Sequence, residues 1–465
     1  MNKNLVIIHT DEHNLRTLGC YRNLMSQDQA FPWGDNIKVE TPNIDWLAKN
    51  GCLFQNFTTP IPICQPSRAT FFTGKHYDKV IKFDNSKTWN GQYLKRDSIS
   101  FANYFKDLGY NNYYVGKWHL DGPEDPGWSP KHSFGFDHKK YMFNSGHYKV
   151  IKESDDGSFD FDKKCDINSA DESNYTTDWL SDKAIECIKN NNDNPFLLTL
   201  CIPDPHDPND VREPYRSMFQ ELDFKLPFTM RYAVNKPHQT PGWAKGGDKA
   251  KWWNTDFIAK YFGMVKCIDD NVGKIISYLR GNGLLDNTVI VFTSDHGDLL
   301  YEHRLHNKAV PYHCSINTPM IIFDAASIPA NKIINTPCSM VDFCPTILDL
   351  CGISFDPKSF DGDSQLKRIT NPSNQVDDHR IVYSRNWNWL AAIDNHLKLI
   401  VSLDEDLWLF DSRTDLNEIN NVADNPSYSD FIKKLLINLH NQIQSFEPNI
   451  LQHDIGVKLK NYINE

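Results

Sequence analysis

The sequence predicts an α/β fold, with a large, mostly parallel sheet sandwiched by helices and a small C-terminal antiparallel α+β subdomain. The first observation is a set of short runs rich in apolar, β-branched and aromatic residues, which alternate with helical patterns up to about residue 355. These runs span residues 5–10, 113–117, 196–202, 288–295 and 319–324. The second observation is that short runs then follow one another closely, as in an antiparallel meander.

Three helical segments lie between the predicted parallel strands. Residues 41–51 begin with a threonine cap and a proline at the first helical position, and they end in glycine. Residues 98–110 have a similar closing glycine, and residues 256–283 form the longest predicted helix because apolar side chains recur there at helical spacing. Helical connections of this kind place successive strands parallel, with helices on both faces of the sheet.

Two long segments are predicted to be mostly loop. Residues 121–185 are irregular and rich in Asp, Gly, Pro and Ser, and residues 203–255 contain seven prolines. Because long loops on a rigid scaffold commonly carry binding residues, we expect substrate determinants in both segments.

The C-terminal part is predicted to contain a four-stranded antiparallel sheet and a helix. The strands fall at residues 380–385, 389–394, 397–403 and 406–411, and the helix at 429–446. We therefore expect a catalytic α/β domain over residues 1–370 and a C-terminal subdomain over residues 371–465.

Composition limits the possible partners. The net charge of −11 argues against nucleic acid, since phosphate binding needs a basic face. The 11 cysteines include no C-x-x-C pair, which fits a reducing compartment with free thiols. The only apolar stretch near the N-terminus, residues 5–8, is too short for a signal-peptide core or a membrane span. We expect a cytoplasmic protein with no membrane partner, or a periplasmic one if a leader has been removed.

Polar, chemistry-bearing side chains follow four of the predicted strands. The first strand ends in Asp11-Glu12-His13, and the second in Lys117-Trp118-His119. The third is followed by the segment PDPHDP with His206, and the fourth by Asp295-His296. Ligands of open α/β sheets bind at the carboxyl ends of the strands, so the four segments together predict one site.

These residue types favour phosphoryl or sulfuryl transfer. Asp11, Glu12, Asp295 and His296 form a plausible set of ligands for one divalent cation; the carboxylates suit calcium or magnesium, and the imidazole leaves manganese or zinc open. Positive charge and proton donors would come from Lys117, His119, His206 and Lys308. A metal facing such a ring suits a tetrahedral oxyanion ester.

The segment CQPSRATFFTG supplies a candidate nucleophile. Cys64 precedes a predicted helix, whose dipole and free amides would favour negative charge there. Arg68 lies one helical turn further on and can hold the segment or an oxyanion. A thiolate, however, is a poor ligand for a hard metal ion, and composition and spacing alone leave that conflict open.

The same segments resemble the formylglycine-dependent (type I) sulfatase family of the alkaline phosphatase superfamily. CQPSRATFFTG is similar to the family signature C-x-P-S-R followed by a helix and T-G. The resemblance continues along nearly the whole chain. It is carried by TPNIDWLAKNG (41–51), GKWHL (116–120), PDPHDP (203–208), SDHGD (294–298), EHRLHNK (302–308) and LWLFDSRTDLNEINNVADNP (407–426).

The resemblance implies that a formylglycine-generating maturation enzyme oxidises Cys64 to Cα-formylglycine. The hydrated aldehyde then offers one hydroxyl to the metal and another as the nucleophile, through a covalent sulfo-enzyme. It implies one divalent cation, Ca²⁺ first and Mg²⁺ or Mn²⁺ as alternatives. Its ligands would be Asp11, formylglycine-64, Asp295 and His296, together with Glu12, where many sulfatases have a second aspartate.

The resemblance also implies roles for the remaining site residues. Arg68 would hold the modified side chain, and Lys117 and Lys308 would hold the sulfate oxygens. His119 would assist the nucleophile or the elimination step, and His206 would be the acid for the leaving group. The substrate would be a small-molecule or oligosaccharide sulfate ester. Apart from the resemblance, the aromatic faces of Trp387 and Trp389 suit a sugar ring, although we expect at least one of the two to pack in the C-terminal core.

Two alternatives remain open from the sequence. Relatives that hydrolyse phosphonate monoesters or phosphodiesters vary at the position of Glu12 and carry a histidine in the S-D-H-G motif. An inactive anion- or glycan-binding relative is the alternative of another class, against which the intact set of candidate residues argues.

Overall fold

The computed structural model describes residues 2–83, 92–164, 166–191, 194–230, 241–242, 253–371 and 380–464. Residues 372–379, which follow the predicted domain boundary, and most of residues 231–252, in the second predicted loop, lie outside the described residues.

The predicted large sheet is present as an eight-stranded, mixed but mostly parallel sheet. Its strands in chain order are β1 (Asn4–Asp11), β2 (Cys52–Phe54), β3 (Asn111–Lys117), β4 (His138–Phe143), β5 (Phe196–Pro205), β6 (Thr288–Ser294), β7 (Met320–Phe323) and β8 (Lys332–Ile334). Their order across the sheet is β8-β2-β7-β6-β1-β5-β3-β4. β6, β1, β5, β3 and β4 are parallel neighbours.

One strand runs against its predicted direction. β7 falls where the fifth parallel strand was expected but pairs antiparallel with β6 and with β2. The connection from β6 to β7 holds only short helical turns, so the chain returns beside β6 without a crossover helix of the kind that a parallel pair needs.

Helices cover both faces of the sheet. In chain order, the helices of the described residues, including α13 and α14 of the C-terminal part, are α1 (Gly19–Arg22), α2 (Gln27–Ala30), α3 (Pro42–Asn50), α4 (Cys64–Thr73), α5 (Tyr77–Val80), α6 (Phe101–Asp107), α7 (Thr176–Lys189), α8 (Tyr215–Met218), α9 (Thr255–Gly281), α10 (His313–Ile316), α11 (Phe343–Leu350), α12 (Leu366–Thr370), α13 (Ser429–Phe446) and α14 (Asp454–Asn464). Alternate residues of β1 enter opposite cores: Leu5 and Ile7 pack with α4 and α11, and Val6 and Ile8 pack with α7 and α9. This alternation is that of a strand buried on both faces.

The prediction of a long irregular loop over residues 121–185 is wrong. The segment contains β4, which extends the main sheet beside β3, a two-stranded ribbon of Ile151–Glu153 and Phe159–Phe161, and the start of α7. β4 has the sequence HKKYMF, and only its second half is fully buried. An edge strand with a polar first half lacks the continuous apolar run by which the central strands were recognised.

The C-terminal part contains the four-stranded antiparallel sheet that was predicted. Its strands are β9 (Val382–Arg385), β10 (Trp389–Ile393), β11 (Leu397–Ser402) and β12 (Trp408–Asp411), in sequential order. α13 and α14 pack on one face. On the other face, Trp389 and Phe410 pack against residues that follow β6, such as Leu299 and Tyr312. Within the described residues, no helix combines the length and the apolar character that crossing a membrane requires.

Candidate active site

Four strand ends in the middle of the sheet carry the predicted site residues. β6, β1, β5 and β3 are consecutive neighbours. Asp11 is the last residue of β1, and Lys117 is the last residue of β3. His206 directly follows β5, and Asp295 and His296 directly follow β6. The parallel arrangement therefore brings all of them to one edge of the sheet.

Cys64 is the first residue of α4, at the helix end that the sequence predicted. All ten residues of α4 are buried, and Gly74 closes the helix in the left-handed conformation with a φ of 63°. The Cys64 Sγ lies 3.1 Å from His296 Nε2 and 3.6 Å from Asp11 Oδ1. In the formylglycine that the sequence resemblance implies, an oxygen would stand in the place of this sulfur.

Arg68 joins three strand ends from within α4. Its Nε donates to Asp295 Oδ2 at 3.0 Å, and its Nη2 lies 3.3 Å from Asp11 Oδ2. Its Nη1 donates to the backbone oxygen of Lys117 at 2.9 Å. Because the side chain is fully buried, these bonds fix the helix against the carboxyl ends of β6, β1 and β3.

Four donors form a compact set that fits a cation. The ligand atoms of Asp11, Cys64, Asp295 and His296 all lie within 4.8 Å of one another. The Nδ1 of His296 is 3.0 Å from the Gly297 oxygen, so the ring donates there and its Nε2 faces the other donors. Two buried carboxylates, an imidazole and an oxygen in place of the sulfur are suitable ligands for a divalent ion.

The electrostatics of the set also favour a cation. Burial and Asp11 raise the pKa of Asp295 to about 6. Burial would raise the pKa of Asp11 as well, but Lys117 and Arg68 hold it well below its usual value. Burial lowers the pKa of His296, whereas Asp295 and the neighbouring thiol raise it, to about 9 overall. The raised pKa values of Asp295 and His296 show that both side chains tend to hold a proton here. A bound metal ion would supply that positive charge instead.

Glu12 lies beside the four donors with its carboxylate turned to other partners. Its backbone N–H donates to Asp295 Oδ1 at 3.1 Å, and its φ is 66°. Its Oε2 lies 2.8 Å from Lys308 Nζ and 3.1 Å from His206 Nε2. Its Oε1 is buried and has no hydrogen-bond partner among the described residues. Coordination of the metal by Glu12 therefore stays a prediction, with Oε1 as the free donor.

Cationic groups lie around Cys64, the candidate nucleophile position. Burial and the Asp11 carboxylate raise the pKa of the Cys64 thiol. Lys308, Lys117 and His296 outweigh them, so this pKa lies well below its usual value. The site thus stabilises negative charge at this position, as transfer of an oxyanion requires.

The two predicted catalytic histidines have opposite protonation tendencies. Burial lowers the pKa of His206, but Glu12 and Asp207 raise it well above its usual value. The His206 Nδ1 lies 2.8 Å from Asp207 Oδ1. Burial and Lys117 lower the pKa of His119, whose Nδ1 has no hydrogen-bond partner in the described parts of the chain. His206 is thus suited to give a proton and His119 to accept one.

His147 is a site residue that the sequence did not reveal. Its Nε2 lies 2.6 Å from Lys117 Nζ and 3.6 Å from Asp11 Oδ2. Its ring stacks on that of His206, with centroids 3.7 Å apart and planes 7° from parallel. Burial and Lys117 hold its pKa well below the usual value. It lies in the segment predicted to be loop, where no motif or periodicity marked it.

Comparison with known proteins defines the family. The family model described as Sulfatase matches residues 3–353. A second one, described as N-sulphoglucosamine sulphohydrolase, C-terminal, matches residues 301–445. The chain therefore belongs to the sulfatase family, whose members are sulfuric ester hydrolases and typically carry formylglycine and a metal ion.

Individual relatives extend over almost the whole chain. An N-acetylglucosamine-6-O-sulfatase of Bacteroides thetaiotaomicron is 26% identical, covering 96% of this chain and 87% of that protein. A solved structure in complex with its substrate D-glucosamine-2-N,6-O-disulfate is 22% identical with a TM-score of 0.76, covering 97% and 99% of the two chains. The phosphonate monoester hydrolase of Agrobacterium radiobacter has a TM-score of 0.70 at 19% identity, covering 97% and 96%. These two structures share the fold.

Proposed function

We propose that this protein hydrolyses a sulfate ester of a carbohydrate, using formylglycine formed from Cys64. The observation that carries the proposal is the position of Cys64, between a set of metal donors and a ring of cations. His296 Nε2 and Asp11 Oδ1 lie 3.1 and 3.6 Å from the sulfur, and Lys308 and Lys117 lower the pKa of the thiol. An anionic ester bound here has positive charge on several sides.

We propose that Asp11, Asp295, His296 and residue 64 hold one divalent ion, Ca²⁺ first and Mg²⁺ or Mn²⁺ as alternatives. Glu12 is an additional candidate through its Oε1. A bound ion would polarise the sulfate group and favour the ionised form of the nucleophilic hydroxyl that formylglycine hydrate supplies. The oxygen-rich donor set supports calcium.

The protein's own residues divide the remaining work. Lys117 and Lys308 bind the non-bridging sulfate oxygens. Arg68 holds α4 in place against the strand ends. His119 accepts a proton from the hydroxyl group at residue 64. His206 gives the proton of its Nε2 to the bridging oxygen as the alcohol leaves, while its Nδ1–H remains on Asp207.

The carbohydrate part of the proposal rests on the relatives and on one exposed aromatic ring. Trp389 is buried, whereas Trp387 is 41% exposed. Asn386, beside Trp387, donates from Nδ2 to the backbone oxygen of Ala309 at 3.0 Å, one residue from Lys308. The turn that carries Trp387 is therefore bonded to the residue next to Lys308, and the flat apolar face of the exposed ring suits a sugar ring.

The proposal includes a maturation partner. Cys64 must be oxidised by a formylglycine-generating enzyme, which would recognise the CQPSR segment. α4 is wholly buried in the folded protein, so we expect this oxidation to precede folding.

The proposal is tested by co-producing the protein with a formylglycine-generating enzyme. Mass spectrometry of the peptide around residue 64 should show an aldehyde that reacts with a hydrazide probe. The matured protein should release sulfate from 6-O-sulfated N-acetylglucosamine or a related sulfated sugar faster than it cleaves aryl phosphonates or phosphodiesters.

Two variants complete this experiment. Cys64→Ala should abolish hydrolysis, and the control Cys187→Ala, at a half-buried cysteine of α7, should retain it. An active preparation with an unmodified thiol at position 64, or faster turnover of phosphonates, would contradict the proposal.

A further inference from the structure

We propose that His147 is a positioning residue for the hydrolysis: its ring fixes the plane of the His206 ring, and its Nε2 fixes the Lys117 ammonium. This inference rests on the proposed function, in which His206 protonates the leaving oxygen and Lys117 binds sulfate. It assigns a purpose to a side chain that no sequence motif marks.

The stack supplies a constraint on His206 that its hydrogen bonds do not supply. The His206 Nδ1 lies 2.7 Å from the backbone oxygen of Asp207, and the Nε2 lies 2.8 Å from Lys308 Nζ. Both contacts lie at the ring edge, and the χ2 torsion of a histidine has broad minima. The His147 ring, 3.7 Å away and within 7° of parallel, covers one face and blocks rotation toward it.

The second contact holds a flexible cation. Lys117 ends β3, and its Nζ lies 2.6 Å from His147 Nε2 while it is ion-paired with Asp11. A lysine ammonium sits at the end of a long, flexible side chain, so a single partner does not fix its position. Asp11 and His147 together fix it at the end of the strand.

The backbone around His147 is anchored on both sides, so the ring is presented rigidly. On one side, the backbone oxygen of Asn144 accepts from the His119 N–H at 2.6 Å. On the other, Lys149 Nζ lies 2.5 Å from Asp204 Oδ1 and donates to the backbone oxygen of His206 at 3.0 Å. The segment that carries His147 is thus fastened to the strand ends that carry both predicted catalytic histidines.

The experiment measures how the reaction depends on the leaving group. A misplaced acid lowers the rate strongly when the leaving group is a sugar alkoxide, which must be protonated. It lowers the rate little when the leaving group is nitrophenolate, which leaves without a proton. In His147→Ala we expect kcat to fall roughly 100-fold with a sulfated sugar and less than about 10-fold with 4-nitrophenyl sulfate.

Two further variants separate the two contacts. His147→Phe retains a flat ring against His206 but has no acceptor for Lys117, so the two esters should be slowed by similar factors, with a raised KM. His147→Gln retains an acceptor without the ring, so it should show the unequal loss of His147→Ala. The control His132→Ala removes an imidazole that pairs with Asp121 instead, and it should leave both rates unchanged.

The outcomes distinguish this inference from the proposed function. If the wild-type protein hydrolyses neither ester, the proposed function fails. If the wild type is active and His147→Ala slows both esters equally, or if His147→Phe shows the same unequal loss as His147→Ala, the positioning role is overturned. Thermal unfolding of each variant identifies a loss caused by misfolding, and His147→Phe preserves the ring volume for that case.

Discussion

At the scale of single residues, Arg68 determines how the strand ends meet. Its three nitrogens bind Asp295, Asp11 and the backbone of Lys117 within 3.3 Å, from a fully buried position. The planar guanidinium presents these donors in fixed directions, which a lysine ammonium on a flexible stem cannot reproduce. With a lysine at position 68, the buried carboxylates of Asp295 and Asp11 would lose hydrogen-bond partners, and an unpaired buried charge is costly.

We therefore expect Arg68→Lys to lower kcat/KM at least roughly 100-fold and the free energy of unfolding by about 3–5 kcal/mol. Steady-state kinetics and urea unfolding measure the two effects. The matched control is Arg413→Lys, at a half-exposed arginine paired with Asp411, where little change in either quantity is expected. Wild-type activity and stability in Arg68→Lys would show that a single ammonium suffices.

The sequence could place some of the candidate site residues together for a physical reason. Asp11, Lys117 and Asp295 could be placed together because each lies at or directly after the end of a strongly apolar strand, and parallel strands end at one edge. His147 could not be placed, because its position depends on contacts with residues 30 and 59 positions away in the chain. The orientation of Glu12 also depends on Lys308, which arrives from a distant loop.

At the scale of elements, the turn between β9 and β10 joins the C-terminal sheet to the site. The Arg385 N–H donates to the backbone oxygen of Pro60, just before α4. The Nε1 of Trp389 donates to the backbone oxygen of Ala309 at 3.1 Å. Within the turn, Asn386 Oδ1 accepts from the backbone of residues 388 and 389. Trp387 is therefore carried by a rigid turn between the segments that bear Cys64 and Lys308.

We expect Trp387→Ala to raise KM for a sulfated oligosaccharide about ten-fold, equivalent to the loss of one stacking contact, with kcat nearly unchanged. A short alkyl sulfate, which has no ring, should show no change in KM. Trp387→Phe should recover most of the affinity, and Val457→Ala, at an exposed residue of α14, is the control. An equal rise in KM for both substrates would mean that Trp387 supports the site without touching the sugar.

The sequence could not predict β4 and the start of α7, because both contain or follow polar residues that are also typical of loops. The central strands are apolar on both faces, whereas β4 is half polar because it lies at an edge. α7 begins at Thr176, inside a segment dominated by polar residues. Its buried apolar side chains, such as Trp179 and Ala184, are too few before residue 185 to mark a helix within that segment. The direction of β7 was mispredicted because an apolar run does not specify its partner.

At the scale of the whole molecule, Arg385 links the C-terminal sheet to α5 and forms a buried ion pair within the C-terminal part. Arg385 in β9 binds Glu447, with Nε 2.8 Å from Oε2, and also reaches Asp78 Oδ1 at 3.0 Å. Tyr383 donates to the same Glu447 carboxylate at 2.9 Å. Asp78 lies in α5, shortly after α4, so the Arg385–Asp78 contact joins the C-terminal sheet to this segment, and Glu447 holds Arg385 in place.

The pKa of Glu447 makes the Arg385–Glu447 ion pair dependent on pH. Burial alone would raise the pKa, but Arg385 lowers it to about 2, from a usual value of 4.5. A carboxylate with a depressed pKa in the folded state contributes stability above its unfolded pKa and loses it as the pH falls toward its folded pKa. The contribution is therefore complete above about pH 5 and declines between pH 4.5 and 2. From the size of the shift, it amounts to roughly 3 kcal/mol.

We accordingly expect Glu447→Gln to be less stable than the wild type at pH 7 and this difference to shrink as the pH falls below 4.5. Urea unfolding at pH 7 and at about pH 3.5 measures the difference directly, and titrating groups far from Glu447 cancel because both proteins share them. His76 and Asp78 do not cancel, because Glu447 raises the pKa of each. Glu221→Gln, at an exposed glutamate, should differ from the wild type by the same small amount at both pH values. A difference for Glu447→Gln that stays constant or grows on acidification would mean that Glu447 is not held ionised by Arg385.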